Sequence, residues 1–284
     1  MRPRFVDVLN AWTGTSLGDW LVPYPALIYA LAMLAGLIIF VQRSKRTGLP
    51  PYYAAGSAVA AMLGGLVGAR VFYVLWHIDK FPSPFSAFFA VSGATFSWGA
   101  YVGGMTGFIL YLYFKQQPLL PWLDMFAPIH GLGVFIGRCA CFLNGDDFGK
   151  LSDLPWAVSY PPGSIPFTHQ VREGLIPLMS DISLAVHPVQ LYLAMNGLLL
   201  FLLFSHIWRR NILKPGQLTV IYFGSYAFSR FWLEFLRGDY QQTYFNLFTS
   251  GQLFAGLLFL ILATGMLFIK LKLHFTVDSS GTNL

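Results

Sequence analysis

The sequence predicts an all-α integral membrane protein with seven transmembrane helices. Its 284 residues are 56% hydrophobic and only 11% charged, whereas roughly a quarter of the residues in a soluble domain are charged. Apolar runs of about 20 residues recur, and a helix of that length crosses the hydrocarbon core of a bilayer. Lipid offers no partners to backbone polar groups, so a helix that satisfies them internally is favoured. We expect one membrane domain over residues 1–284.

Seven apolar stretches define the predicted helices in chain order. They cover about residues 22–41, 52–76, 92–114, 121–143, 188–208, 217–236 and 251–270. Between the fourth and fifth stretches lies a long loop, about residues 144–187, that is rich in Pro and Gly. Loops of that length without regular structure are often functional.

The distribution of Lys and Arg predicts the orientation. Nine of these residues lie in the segments after the first, third, fifth and seventh spans, and six lie in the longer segments on the opposite side. Because cytoplasmic loops are enriched in Lys and Arg, we expect the N-terminus outside and the C-terminus in the cytoplasm. The 144–187 loop is then outside.

The net charge of +6 does not indicate a nucleic-acid partner, because most basic residues lie in short loops, as membrane topology requires. The two cysteines, Cys139 and Cys141, form no disulfide framework. Their spacing points the thiols in different directions on a helix, so they do not predict a metal site. Neither a metal nor an organic cofactor is expected.

Arginines inside the predicted spans are the first candidates for function. Arg70, Arg138 and Arg230 each lie within a span, and a charge in the membrane usually faces a cavity or a partner. The predicted orientation puts all three toward the outer leaflet. A guanidinium presents a rigid fork of donors that suits phosphate or carboxylate, so we expect Arg138 and Arg230 to hold a phospholipid headgroup.

The sixth span carries a second set of polar residues. Tyr226, Arg230 and Glu234 are spaced by four and share one helical face, and Arg237 follows three residues later. One interpretation is a binding face with catalytic groups. The alternative is an Arg230–Glu234 ion pair that only neutralises itself within the bundle.

The fourth span ends in a polar turn that contains Asn144, Asp146 and Gly149. Such a turn can bind a headgroup with side chains and backbone N–H groups together, or it is an ordinary loop start. His130, within the span, and His187, at the start of the fifth span, are candidate proton carriers. The alternative for each is a packed, hydrogen-bonded histidine.

Small residues cluster in the second and third spans. In the third span, Gly103 and Gly104 follow Tyr101. Close helix packing is the favoured interpretation of such residues, and contact with a lipid headgroup is the alternative.

Several segments together resemble the prolipoprotein diacylglyceryl transferase family. They are APIHGLGVFIGRCACFLNGDDFG, HPVQLY and YAFSRFWLEFLRGD, with weaker support from ALIYAL, GLVGARVFYVL and YVGGMTG. The segments occur in the family's order over most of residues 22–240. The family's seven spans with the N-terminus outside agree with the topology above.

The resemblance implies a reaction, a location and roles for residues. A diacylglyceryl group passes from phosphatidylglycerol to the lipobox cysteine of a preprolipoprotein signal peptide, giving a thioether and glycerol phosphate. The setting is the bacterial cytoplasmic membrane, with the active site facing the periplasmic leaflet. Positions that match family motifs are Arg138, Asn144, Gly149, Tyr226, Arg230 and Glu234.

Departures from the family pattern keep two alternatives open. Cys141 stands where the family usually has Asn, Leu193 replaces a Glu, Val102 replaces a frequent His, and Asp146 shortens the signature Glu. One alternative is a related membrane transferase with another acceptor or donor. The other is a lipid-binding or transport protein without enzymatic activity.

Overall fold

The computed structural model describes residues 25–77, 97–239, 248–249 and 251–264. Regular structure in these residues is helical. The helices are α1 Pro25–Arg46, α2 Pro51–Trp76, α3 Ser97–Phe114, α4 Leu119–Asn144, α5 Ile165–Arg172, α6 Val189–Arg210, α7 Gln217–Leu233 and α8 Gly251–Thr264, with a 3-10 turn at Glu234–Leu236 after α7.

Four stretches of helix in the described part of the chain are long and apolar enough to cross a membrane. They are Leu27–Arg46, Pro51–Leu75, Leu119–Asn144 and Val189–Arg210. Two shorter apolar stretches are Gly99–Phe114 and Gly251–Thr264. The predicted first and third spans begin, and the predicted seventh span ends, outside the described residues. The fold is therefore an all-helical membrane architecture with four candidate spans among the described residues.

The chain divides into two compact units. The small unit runs from Leu37 to Met125, and the large unit combines residues up to Gly36 with those from Phe126 onward. Each unit has its own mode of helix packing.

Glycine contacts hold α2 against α3 in the small unit. A Cβ atom added to Gly68 would lie 2.8 Å from the Cα of Gly103, and one added to Gly64 would lie 3.2 Å from the Cα of Gly107. These positions have no room for a side chain, so the two backbones touch directly. The predicted packing role of the small residues in these helices is what the structure shows.

The large unit packs α4 against α6 and α6 against α7. Gly131 and Gly197 meet at the first contact, where a Cβ on either would lie 2.8 Å from the carbonyl oxygen of the other. The core around the second contact consists of Ala127, Leu200, Phe204, Leu218 and Tyr222. This packing fixes the ends of α4 and α7, which carry the predicted arginines.

The predicted 144–187 loop contains a helix, α5, that was not predicted from the sequence. Ser164 caps α5 by accepting a hydrogen bond from the Phe167 N–H at 3.4 Å. The chain then turns at Gly174, whose φ of +71° suits glycine. The Gln170 side chain donates to the Leu184 carbonyl at 3.2 Å and accepts from the Leu184 N–H at 2.8 Å. The loop is therefore tied together by its own hydrogen bonds.

Candidate functional site

Asp147 joins two arginines that are far apart in sequence. Arg138, in the last turns of α4, donates to one of its carboxylate oxygens, and Arg237, just after α7, donates to the other. Burial alone would raise the pKa of Asp147, but the two guanidinium groups outweigh burial and hold that pKa below its ordinary value. The Asp147 backbone has a φ of +56°, a conformation that Asp tolerates better than most residues.

A backbone crossing brings Asp147 and Arg237 together. The Lys150 N–H donates to the Leu236 carbonyl at 2.8 Å, and the Gly238 N–H donates to the Phe148 carbonyl at 2.9 Å. A Cβ on Gly238 would lie 2.7 Å from the Gly149 carbonyl carbon. Glycine at this position therefore permits the close approach on which the ion pairs depend.

Arg237 is the most heavily paired arginine of the group. Its Nε donates to Asp239 Oδ1 at 2.9 Å, its Nη2 lies 2.6 Å from Asp239 Oδ2, and its Nη1 lies 3.7 Å from Glu234 Oε1. Burial would lower the pKa of Arg237, but the hydrogen bond to Asp239 and the charge of Asp147 raise it above its ordinary value. Arg237 therefore keeps its charge.

Arg230 and Glu234 form the pair that their spacing predicts. Arg230 Nη2 lies 2.8 Å from Glu234 Oε2, and both side chains are buried. Thr249 donates to Glu234 Oε1 at 3.3 Å. The other terminal nitrogen of Arg230, Nη1, is buried and has no hydrogen-bond partner among the described residues. One guanidinium donor therefore remains available to a ligand.

We call this group the charged cluster; its members are Arg138, Asp147, Arg230, Glu234, Arg237 and Asp239. The formal charges of its members cancel. The sequence did not predict Asp147, Asp239 or Thr249 as residues of the site. Asp239 follows Arg237 in an Arg-Gly-Asp sequence, which is a weak signal, while no sequence signal marks Thr249.

The remaining polar residues of the turn lie beside the charged cluster. Asn144 is exposed and donates to Asp146 Oδ2 at 3.4 Å. Gly149 is buried, and its N–H donates to the His187 carbonyl at 3.1 Å. Gln190 donates to the backbone carbonyl of Asp146 at 2.7 Å. These contacts fix the shape of the turn that follows α4.

His130 lies in an aromatic environment within α4. Its Nδ1 is 2.9 Å from the Tyr222 hydroxyl, and its ring is 5.0 Å from the Tyr226 ring. It precedes Arg138 by eight residues, which is about 12 Å along a helix. The structure therefore joins His130 and Tyr226 to each other.

The backbone of His187 contacts the turn after α4, while its ring contacts Tyr192. Its Nδ1 lies 3.4 Å from the Tyr192 hydroxyl, which also accepts a hydrogen bond from the Trp156 indole at 2.7 Å. The His187 ring is thus paired with an aromatic group of α6.

The residues predicted on the third span belong to the small unit. Gly103 packs against Gly64 and Gly68, Gly104 lies opposite the Ala61 carbonyl, and the Tyr101 side chain is exposed. Their contribution to lipid binding stays a prediction.

The three arginines of the charged cluster are the groups that suit a bound anion, and its three acids hold them in place. Guanidinium groups held in a low-dielectric environment interact strongly with charge that develops on a bound phosphate. The described residues contain no group of three His, Cys, Asp or Glu side chains arranged to hold a metal ion. Cys139 and Cys141 are free thiols.

Comparison with known proteins gives a consistent result. Residues 15–269 match the model of the family described as prolipoprotein diacylglyceryl transferase. The phosphatidylglycerol–prolipoprotein diacylglyceryl transferase of Synechococcus elongatus is 30% identical over 233 residues, which are 80% of this chain and 77% of that protein. The protein of the same name from Rhizobium meliloti is 32% identical over 231 residues, or 74% of each chain. The one from Corynebacterium glutamicum is 28% identical over 237 residues, covering 78% of this chain and 73% of its own.

Proposed function

Since the chain belongs to the prolipoprotein diacylglyceryl transferase family, we propose that it transfers the diacylglyceryl group of phosphatidylglycerol to the cysteine thiol of a prolipoprotein. The protein is a membrane transferase. The products are a thioether-linked diacylglyceryl protein and glycerol phosphate.

The observation that carries this proposal for the site is the buried, unpartnered Nη1 of Arg230 within the charged cluster. A buried donor without a partner is costly, and the phosphate oxygen of a lipid headgroup would satisfy it. Arg138 supplies a second guanidinium, oriented by Asp147. Glu234 orients Arg230 through their ion pair. The Tyr226 ring contacts the His130 ring edge to face.

The chemistry follows from the charges. The thiolate sulfur attacks the glyceryl carbon next to the phosphate ester, the carbon–sulfur bond forms, and the carbon–oxygen bond breaks. The leaving oxygen carries negative charge on the phosphate. Guanidinium groups that are already oriented stabilise that charge without reorganisation. Holding the headgroup also aligns the carbon for attack, which can supply several kcal/mol.

The arrangement in the membrane forms part of the proposal. The chain crosses the bacterial cytoplasmic membrane seven times as a single membrane domain, with a periplasmic N-terminus and a cytoplasmic C-terminus. The loop at 144–187 and the charged cluster lie at the periplasmic leaflet, where signal peptides of preprolipoproteins emerge. The apolar helices and the clustering of Lys and Arg in alternate loops support this topology.

The test is a transfer assay with purified protein in nanodiscs. The discs contain phosphatidylglycerol, or phosphatidylethanolamine as the control donor, and the acceptor is a lipobox peptide with cysteine, or with serine as the control. We expect the cysteine peptide to gain a diacylglyceryl mass and glycerol phosphate to be released, with phosphatidylglycerol alone. Release of glycerol phosphate without peptide modification would point to another acceptor, and lipid binding without either product would refute the proposal.

A further inference from the structure

Two neighbouring carboxylates in the turn after α4 have opposite environments. Asp147 receives ion pairs from Arg138 and Arg237 on its two oxygens. Asp146 receives a long hydrogen bond from Asn144, at 3.4 Å, on Oδ2, and the Cys141 thiol also acts on its carboxylate as a hydrogen-bond donor. Its Oδ1 is buried and has no hydrogen-bond partner within the described residues. Of the two carboxylates, only Asp146 has an oxygen available to a new partner.

Asp146 is held in place through its own backbone carbonyl rather than through its carboxylate. Gln190, buried at the start of α6, donates to the Asp146 carbonyl at 2.7 Å and lies 3.3 Å from the Tyr160 hydroxyl. The preceding residue, Gly145, has a φ of +81°. The carboxylate is therefore held beside Arg138 without being consumed by an ion pair, as a positioned reactive group requires.

The environment also separates the acidities of the two side chains. Burial raises the pKa of Asp146 above its ordinary value, and the charge of Asp147 adds to that rise. The groups that act on the Asp146 carboxylate are Arg138, Cys141, Asn144 and Asp147. Its charge in turn acts on the hydroxyl groups of Tyr29 in α1 and Tyr160 in the loop. When the pKa values of two neighbouring acids shift in opposite directions, the acid with the lowered pKa suits a charge partner and the one with the raised pKa suits a proton carrier. Here these are Asp147 and Asp146.

We propose that Asp146 is the base that removes the proton from the acceptor cysteine thiol. This inference rests on the proposed function. The thiol proton passes to Asp146 Oδ1, leaving a thiolate and a neutral carboxylic acid. The thiolate forms the carbon–sulfur bond, and glycerol phosphate leaves with the electrons of the broken carbon–oxygen bond. Asp146 then gives the proton to the departing phosphate, which returns the carboxylate to its starting state.

Asp147 and His130 are less suited to this step than Asp146. Protonation of Asp147 would break two ion pairs at once. His130 Nδ1 is occupied by Tyr222, and its ring is surrounded by Tyr222, Phe223 and Tyr226. Asp146, by contrast, has a carboxylate oxygen without a hydrogen-bond partner among the described residues and lies close enough to Arg138 to feel its charge.

The decisive experiment compares two acceptor peptides that differ only in cysteine or selenocysteine at the lipobox. A selenol is largely ionised at neutral pH and needs no base. We expect Asp146→Asn to lower kcat/KM for the cysteine peptide on the order of 100-fold, the range for a lost general base. The same variant transfers to the selenocysteine peptide at nearly the wild-type rate. Asp146→Glu restores transfer to the cysteine peptide in part, and Asp153→Asn, an exposed acid of the same loop, serves as the matched control.

Phosphatidylglycerol binding and thermal midpoint are measured for each variant, so that a folding defect is recognised. An equal loss with both peptides would show that Asp146 acts through structure or lipid binding and would overturn the inference. Undiminished transfer by Asp146→Asn to the cysteine peptide would overturn it as well. If the wild type modifies neither peptide, the proposed function itself fails, and the inference fails with it.

The pH profile supplies a readout that a purely structural role would not change. In the wild type, kcat/KM for the cysteine peptide rises with pH as Asp146 loses its proton, above the range of an ordinary aspartate. In Asp146→Asn that limb disappears, and the residual rate rises instead as the peptide thiol ionises near pH 8.5. An unchanged acid limb in the variant would contradict the assignment.

Discussion

The α2–α3 contact of the small unit and the charged cluster of the large unit hold their elements together by opposite means. In the first, Gly64, Gly68 and Gly103 remove side chains so that two backbones touch. In the second, Asp147 pairs by charge with guanidinium groups at the ends of two helices, α4 and α7, that are distant in sequence. The first contact depends on the absence of atoms and the second on a balance of charges.

Because of this difference, substitutions in the two regions should affect different properties of the protein. A contact made by shape alone tolerates no added atom and contains no charged group that could change partners. A contact made by paired charges can exchange one partner for an incoming anion, as the open donor of Arg230 allows. We therefore expect changes in the charged cluster to affect activity first, and changes in the glycine contact to affect folding first.

The largest effect is expected from Arg138→Ala and Arg230→Ala. Each removes a guanidinium proposed to stabilise the leaving phosphate, so kcat/KM for transfer falls on the order of 100- to 1000-fold. The nanodisc assay measures this. Arg172→Ala is the matched control, because Arg172 is exposed and pairs only loosely with Glu173. Full activity in Arg138→Ala or Arg230→Ala, at an unchanged thermal midpoint, would contradict the proposed role of the charged cluster in transfer.

The next effect is expected in the glycine contact. Gly103→Ala forces a Cβ against the α2 backbone and lowers the free energy of unfolding by about 3 kcal/mol. The neighbouring Gly104→Ala is the control, since its Cβ would lie 3.2 Å from the nearest atom, the Ala61 carbonyl oxygen. Thermal midpoints and folded yield in detergent report the difference. Equal stability of the two variants would mean that the contact is not set by shape.

A smaller effect is expected from Asp147→Asn. Asn adopts a positive φ as readily as Asp, so the variant removes charge without adding backbone strain. We expect a loss of about 2 kcal/mol at neutral pH, because the buried Arg237 and the half-buried Arg138 both lose a partner.

The pH dependence of this loss follows from the pKa of Asp147, which is lower in the folded protein than in the unfolded chain. Its contribution is fully present above the unfolded value, near pH 4, and disappears as pH falls through the folded value. Thermal midpoints between pH 3 and pH 7 check this. A constant gap between wild type and variant over that range would contradict it.

The smallest effect is expected from Tyr222→Phe. This change removes the hydroxyl that bonds His130 at 2.9 Å, and the unfolding free energy falls by about 1 kcal/mol. The pH profile of transfer stays as in the wild type, because the contact lies outside the charged cluster. A shift in the acidic side of the pH profile of kcat/KM would show that His130 takes part in proton transfer and belongs to the functional site.

Part of this structure follows from the sequence by simple spacing. Apolar runs predict the long helices, and the i,i+4 separation of Arg230 and Glu234 predicts their pair. The capped helix α5 was missed because its eight residues form no long apolar run and lie within a loop that is rich in Pro and Gly. The link between Asp147 and Arg237 was missed because the two residues are 90 positions apart. No local pattern encodes a contact that a backbone crossing creates.

The crossing of residues 148–150 with residues 236–238 also has a consequence during biosynthesis. At translation speeds of 5–20 residues per second, roughly 5 to 20 seconds separate the emergence of Asp147 from that of Arg237. A nascent chain halted in that interval carries the turn after α4 but lacks its counterpart. The ribosome therefore delivers α1 to α4 several seconds before it completes the charged cluster, so a product truncated in that interval lacks the proposed lipid site.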